Sequence, residues 1–279
     1  DNVARERKGI APLYSQLRTI RRIRTVHDLT RYLGQLQGSP VSTPIEVYVS
    51  PDVKKADQNL LYLTQSGLGL PDRDYYLASG AVFEAARQAY VAYLTRLFTL
   101  AGYHSANRRA QAVLELERDL ANLQWSAVAN RDPQRTYNLF PIAELSQHFP
   151  AFAWQTFLAE AKVDTARTVS ITQPSYLNGL VQLLQNNTLL ATWSDYLTAR
   201  TLDAYAPYLN EQMVTTHFEF HSKALSGATE QSPSWREGVT LVDNSLGEAL
   251  GKLYVEKHFS AQAKERVERL VRHLSLIHI

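Results

Sequence analysis

The sequence predicts a mainly α fold, a multi-helical lobe with a small antiparallel β insertion near residues 45–66. Three observations carry this reading. Apolar residues recur at three- and four-residue spacings along most of the chain, as the buried face of a helix requires. Two segments between Ile45 and Thr64 alternate in polarity instead. No internal repeat, low-complexity tract or Gly/Ser linker divides the remainder, so one helical unit is expected.

In chain order, Thr25 is placed to cap a helix through Leu29, Leu33 and Leu36, closed by Gly38 and Pro40. Ile45, Val47 and Val49 alternate with Glu46, Tyr48 and Ser50, and Leu61 and Leu63 alternate with Tyr62 and Thr64. These are two half-buried strands that pair antiparallel across the polar Pro51–Asn59 link. Gly67, Gly69 and Pro71 stop the second strand. A helix over Val82–Leu100 places Ala86, Tyr90, Tyr93, Leu94, Leu97 and Leu100 on one face, with Gly102 behind it. Ala110–Trp125 follows, on Val113, Leu114, Leu120 and Leu123. Short helices are expected at Ile142–His148 and Trp154–Ala161, and a brief extended connector at Thr168–Ile171. Pro174 suits the first residue of a helix through Leu184. A long helical stretch from Leu190 to Leu225 should bend at Pro207, which has no N–H to donate. Pro233-Ser234-Trp235 opens the last long helix, and Ser260 caps a final one.

Composition narrows the chemistry. The 279 residues are 45% hydrophobic with 15 Tyr, 9 Phe and 4 Trp, which excludes a disordered chain. With no cysteine there is no disulfide, thiolate metal site or Cys nucleophile. A formal charge of +2 does not argue for a polyanionic partner. Arg5, Arg7, Lys8, Arg18, Arg21, Arg22, Arg24 and Arg31 crowd the start. A nucleic-acid arm and a solvated helix face share that pattern; without aromatic interleaving or a DNA-binding motif, the solvated face is preferred. No apolar run reaches the ~20 residues of a membrane span.

Each candidate reactive group has a plainer explanation. His217 and His221 share a helical face, as zinc-binding pairs do. The metalloprotease motif needs Glu directly after the first His, and here that residue is Phe218. No third ligand is visible, so two ordinary histidines beside buried Phe218 and Phe220 are expected. Gly247-Glu248-Ala249-Leu250-Gly251-Lys252 is one residue short of a phosphate loop and lacks its strand. Its glycines are instead expected at a close helix–helix contact. Glu115, Glu117 and Asp119 read as a solvated helix surface. Asp72-Arg73-Asp74 suits helix-capping hydrogen bonds. No residue is assigned as catalytic, cofactor-binding or metal-binding.

Several segments together resemble the N-terminal, lid-lobe region of the neprilysin family of zinc metalloendopeptidases, bacterial type. They are Gln65-Ser66-Gly67-Leu68-Gly69-Leu70-Pro71-Asp72-Arg73-Asp74-Tyr75-Tyr76-Leu77, Asn130-Arg131-Asp132-Pro133 with Tyr137-Asn138, and Gln173-Pro174-Ser175-Tyr176. Trp193-Ser194-Asp195-Tyr196-Leu197, Ala206-Pro207-Tyr208-Leu209 and Leu246–Val255 continue the series in order. Leu225-Ser226-Gly227 ahead of Pro233-Ser234-Trp235 fits too, although the family more often has Arg at position 234.

The resemblance implies a two-lobed, largely helical parent with a cavity between the lobes. This lobe would restrict entry to oligopeptides, while the other attacks a peptide carbonyl with zinc-activated water. Zinc would then be a cofactor of the parent, bound outside this chain; oligopeptides and the C-terminal catalytic lobe would be its partners. The resemblance also implies an extracytoplasmic location, in periplasm or cell envelope. A stand-alone helical protein-interaction module without enzymatic activity is the alternative reading, and a nucleic-acid binder a weaker third. The hexapeptide at 274–279, Leu-Ser-Leu-Ile-His-Ile, matches one reading frame of a transposon end used in sequencing libraries. It is expected to be non-native, leaving 1–273 as the lobe, incomplete at both ends.

Overall fold

The computed structural model describes residues 2–277 and divides into two compact units, 1–229 and 230–279. The first unit is mainly helical around a four-stranded sheet. It begins with α1 (Asn2–Lys8), α2 (Tyr14–Arg21) and α3 (Val26–Gln35). The Thr25 hydroxyl accepts from the Asp28 amide at 3.0 Å, while the Asp28 carboxylate accepts from the Thr25 amide at 3.1 Å. This reciprocal cap fixes where α3 starts. The basic opening segment forms largely solvated faces, from which Arg31 reaches Glu160 at 3.9 Å and Arg21 lies 4.7 Å from the centre of the Tyr103 ring.

β1 (Ile45–Asp52) and β2 (Lys55–Gln65) form the expected antiparallel hairpin, with Val47 opposite Leu63. The sheet is larger than the hairpin. The order is β1-β2-β4-β3, where β3 is Leu139–Pro141 and β4 is Thr168–Ile171, so the expected connector at 168–171 is a strand. β4 runs parallel to β2 and antiparallel to β3, which makes the sheet mixed. That position changes the burial of β2. Leu60, Leu61, Tyr62 and Leu63 are all buried, not alternately, because a central strand is covered on both faces. On the edge strand β1, Val49 is 59% exposed where alternation placed it inward.

Between β2 and β3 come α4 (Asp74–Leu77), α5 (Ala81–Leu100), α6 (Ala106–Leu123) and α7 (Ala127–Asn130). Tyr90, Tyr93, Leu94 and Leu97 are the buried face of α5, as the periodicity requires. α8 (Leu145–His148) and α9 (Trp154–Glu160) precede β4. A Cβ on Gly34 would sit 2.6 Å from the Phe157 carbonyl oxygen, so this glycine lets α3 and α9 approach. α10 (Pro174–Leu184) opens on its proline. α11 (Leu190–Tyr205) ends in a 3₁₀ turn at Ala206–Tyr208, so Pro207 breaks the expected long helix outright. α12 (Glu211–His217) then passes into a π-helical segment, Phe218–Ala224. The fully buried Trp193, Tyr196, Phe98 and Phe157 mark the core of this unit.

The second unit consists of α13 (Ser234–His258) and α14 (Ala261–Ile277), the latter capped by Ser260, whose hydroxyl accepts from the Ala263 amide at 3.2 Å. No α13 side chain is buried. Leu246, Leu250 and Leu253 are exposed, as are Val267, Leu270, Val271 and Leu274. The helix contact expected at the glycines of α13 is not there. A Cβ on Gly251 would meet nothing within 4 Å, and one on Gly247 would meet the Asp243 carboxylate of its own helix. Of the hexapeptide 274–279, helix α14 includes the part up to Ile277; 278–279 lie outside the described residues. Among the described residues no helix is long and apolar enough to cross a membrane.

Candidate functional site

The strand β2 and the helices that follow it gather distant segments into one hydrogen-bonded assembly. Gln65 donates to the Trp125 carbonyl at 2.9 Å and accepts from the Trp125 amide at 2.7 Å. Gln173 accepts from the Gln65 amide at 2.9 Å and donates to the Asn130 side-chain oxygen at 3.1 Å. The Trp125 indole N–H donates to the Ser175 hydroxyl at 2.7 Å. Tyr176 and Tyr196 close the set, donating to the carbonyls of Pro44 at 2.8 Å and Gly67 at 2.7 Å. The segments Gln65–Leu77, Asn130–Pro133, Gln173–Tyr176 and Trp193–Leu197 are therefore one built object. They border a cavity of about 300 Å³ lined by Gln65–Leu68, Asp72–Asp74, Trp125 and Asn130, among others. Asp72 accepts from the Asp74 amide at 2.8 Å, a local hydrogen bond at the start of α4.

Behind Gly69 lies a buried ionic knot. Glu117, read above as part of a solvated surface, is fully buried. Its carboxylate accepts from the hydroxyls of Tyr76 (2.6 Å) and Tyr90 (3.0 Å) and from the Gly69 amide (3.3 Å). Arg200 lies 3.7 Å from Glu117, 3.6 Å from Asp203, and donates to Tyr90 at 2.6 Å. Burial pushes the Glu117 carboxyl above its ordinary range; the Arg200 charge and the phenol hydrogen bonds oppose that shift. The knot also explains the glycine. A Cβ at position 69 would stand 2.0 Å from the Tyr90 hydroxyl and 2.6 Å from the Arg200 guanidinium. Helical spacing carried the signal for Glu117, since Val113, Leu114, Glu117, Leu120 and Ala121 form a single stripe and all are buried.

Asp203 links this knot to the two histidines. It accepts from the Tyr93 hydroxyl at 2.6 Å, and its Oδ1 lies 2.7 Å from His221 Nε2. Burial works against the Asp203 charge, but Arg200 and the hydrogen bonds from His221 and Tyr93 outweigh it and hold the carboxyl well below the usual range. His217 is pushed down to about 4, by burial first and by His221 second, and so stays neutral where a free imidazole would charge. Phe220 is buried as expected, whereas Phe218 is only partly so. The third partner, an aspartate, comes from α11, which no spacing in the 217–221 segment could reveal.

Residues 1–276 match the sequence model for the N-terminal part of peptidase family M13. The chain belongs to this family. Endothelin-converting enzyme 1 of Mus musculus is 27% identical over 232 residues, covering 81% of this chain and 30% of that protein. Neprilysin of Mus musculus is 26% identical over 247 residues, covering 81% and 32% respectively. The zinc metalloprotease Zmp1 of Mycobacterium tuberculosis, in its open state, superposes with a TM-score of 0.90 at 34% identity, covering 98% of this chain and 43% of that one. The chain thus spans about a third of the length of these curated relatives. Members of the M13 family are zinc metalloproteases, yet His-Glu-x-x-His occurs nowhere in these 279 residues. The residues present do not fit that zinc site: Phe218 occupies the place of its glutamate.

Proposed function

We propose that residues 1–273 are the non-catalytic, substrate-restricting lobe of a zinc-dependent metalloendopeptidase that hydrolyses oligopeptides. Residues 274–279 would be a non-native tail, and the zinc and its water-activating glutamate would be bound outside this chain. The observation that carries the reading is the convergence of the family segments on the assembly around Gln65, Gln173 and Asn130. There the side chains serve backbone amides and carbonyls, holding a rigid wall, and none is paired as nucleophile and base. A wall of this kind selects by shape and size. The exposed apolar faces of α13 and α14 support a catalytic lobe as partner, since a face of that kind marks a surface made to be covered. By kinship the parent would act outside the cytoplasm, in the periplasm or cell envelope.

The same exposed faces favour one second reading, a stand-alone interaction module without enzymatic activity. Two experiments separate and test these. Purified 1–279 given zinc should leave a quenched fluorescent oligopeptide intact, and chelator-sensitive cleavage would overturn the assignment of a non-catalytic lobe. The gene read past Arg272 should encode His-Glu-x-x-His, and its absence would leave the interaction module standing.

A further inference from the structure

Asp203, His217 and His221 present one oxygen and two ring nitrogens that all lie within 4.8 Å of one another. The carboxylate comes from the last turn of α11, His217 from the end of α12, and His221 from the π-helical segment that follows. We propose that these three side chains form a binding site for a first-row divalent transition ion, zinc foremost.

Four features of the structure support it. Two imidazoles and a carboxylate are a donor set that zinc accepts, with a fourth position left to water. Bonds of about 2.0–2.1 Å put the donors of a tetrahedral ion roughly 3.3 Å apart. The present donors bracket that spacing, with His221 and Asp203 at 2.7 Å and all three within 4.8 Å of one another. The imidazole rings of His217 and His221 lie 4.3 Å apart between centres, tilted by 31°. The His217 side chain makes ring contacts with Tyr93 and His221 but no hydrogen bond to another described residue, so its ring nitrogens are not committed to a protein partner there.

The surroundings are arranged as a ligating carboxylate needs. Arg200 approaches Oδ2 of Asp203, at 3.6 Å, leaving Oδ1 toward the histidines, where the Tyr93 hydroxyl also holds it at 2.6 Å. The Arg200 charge is shared between Asp203, 3.6 Å away, and Glu117, 3.7 Å away. His221 and Asp203 keep 29% and 16% side-chain exposure, which provides a way in. A bound ion would tie the end of α11 to the α12–π segment.

The test uses the tag-free 279-residue chain, stripped with a chelator and desalted, then titrated with cobalt(II) and with zinc. One equivalent of cobalt should bind saturably with the visible absorption of a four-coordinate site, and zinc should displace it and raise the thermal midpoint. His217→Ala should weaken uptake by at least about tenfold, with its circular dichroism unchanged, since that side chain bonds to no other described residue. His148→Ala, at an exposed histidine near Glu144, should bind as the parent does. Asp203→Asn should also lose the ion, but it disturbs Arg200 and Tyr93, so His217→Ala decides. Unsaturable uptake, or equal affinity in His217→Ala and the parent, would overturn the proposal.

Discussion

The Gly69 region of the first unit and helix α13 of the second both carry wording typical of the M13 family, but they use it in opposite ways. Around Gly69 the segment turns Leu70 and Tyr76 inward, while Asp72 and Asp74 stay at the surface. Two phenols, a carboxylate, a guanidinium and a backbone amide meet in a space that admits no Cβ. Along α13, Gly238 and Gly251 have open space beside them, Gly247 faces only Asp243 of its own helix, and the leucines stand in solvent. A recurring segment can therefore record an internal constraint or an outward face. Sequence spacing alone does not tell which; burial and hydrogen-bond partners do.

Substitutions can break this contrast, and the largest effect belongs to the knot. Glu117→Ala would leave the Tyr76 and Tyr90 hydroxyls without their acceptor and Arg200 with Asp203 as its one carboxylate, and breaking a buried ion pair from one side costs about 3–5 kcal/mol. Denaturant unfolding of the chain should show that loss. Gly69→Ala comes next, at about 1–3 kcal/mol, because its methyl group collides with Tyr90 and Arg200. Gly251→Ala should have the opposite sign. With nothing within 4 Å and a helical backbone, it should raise the helix stability by up to about 1 kcal/mol, visible as a higher thermal midpoint for the second unit. Leu253→Ser, at a side chain 62% exposed, should move the stability of the chain by no more than about 0.5 kcal/mol. A large loss there, or a neutral Gly69→Ala, would erase the distinction between the two regions.

Local pattern made the helices and the hairpin legible. Thr25 with Asp28, Pro174 and the stripe from Tyr90 to Leu97 each act within a few residues, so the sequence shows them directly. β3 was not legible, because Leu139-Phe140-Pro141 is a strand only through pairing with β4. Glu117 was open to inspection but was read with the wrong period. Glu115, Glu117 and Asp119 alternate along the sequence, whereas helix geometry places Glu117 between Val113 and Leu120 on the buried side. Asp203 as a third donor could not be seen at all, since only the packing of α11 brings it to His217 and His221.

The parallel pairing of β2 with β4 also sets a timetable for the newborn chain. Leu61 meets Val169, so the apolar edge of β2 must wait for about a hundred further residues to leave the ribosome. At roughly 5–20 residues per second, that is on the order of 5–20 s with an unpaired edge of Leu60–Leu63 in place. Helices α4 to α7 emerge first and can shelter it, while an exposed strand edge invites pairing with other chains. The order of synthesis thus makes the long helices between the strands a guard for the sheet before they are its walls.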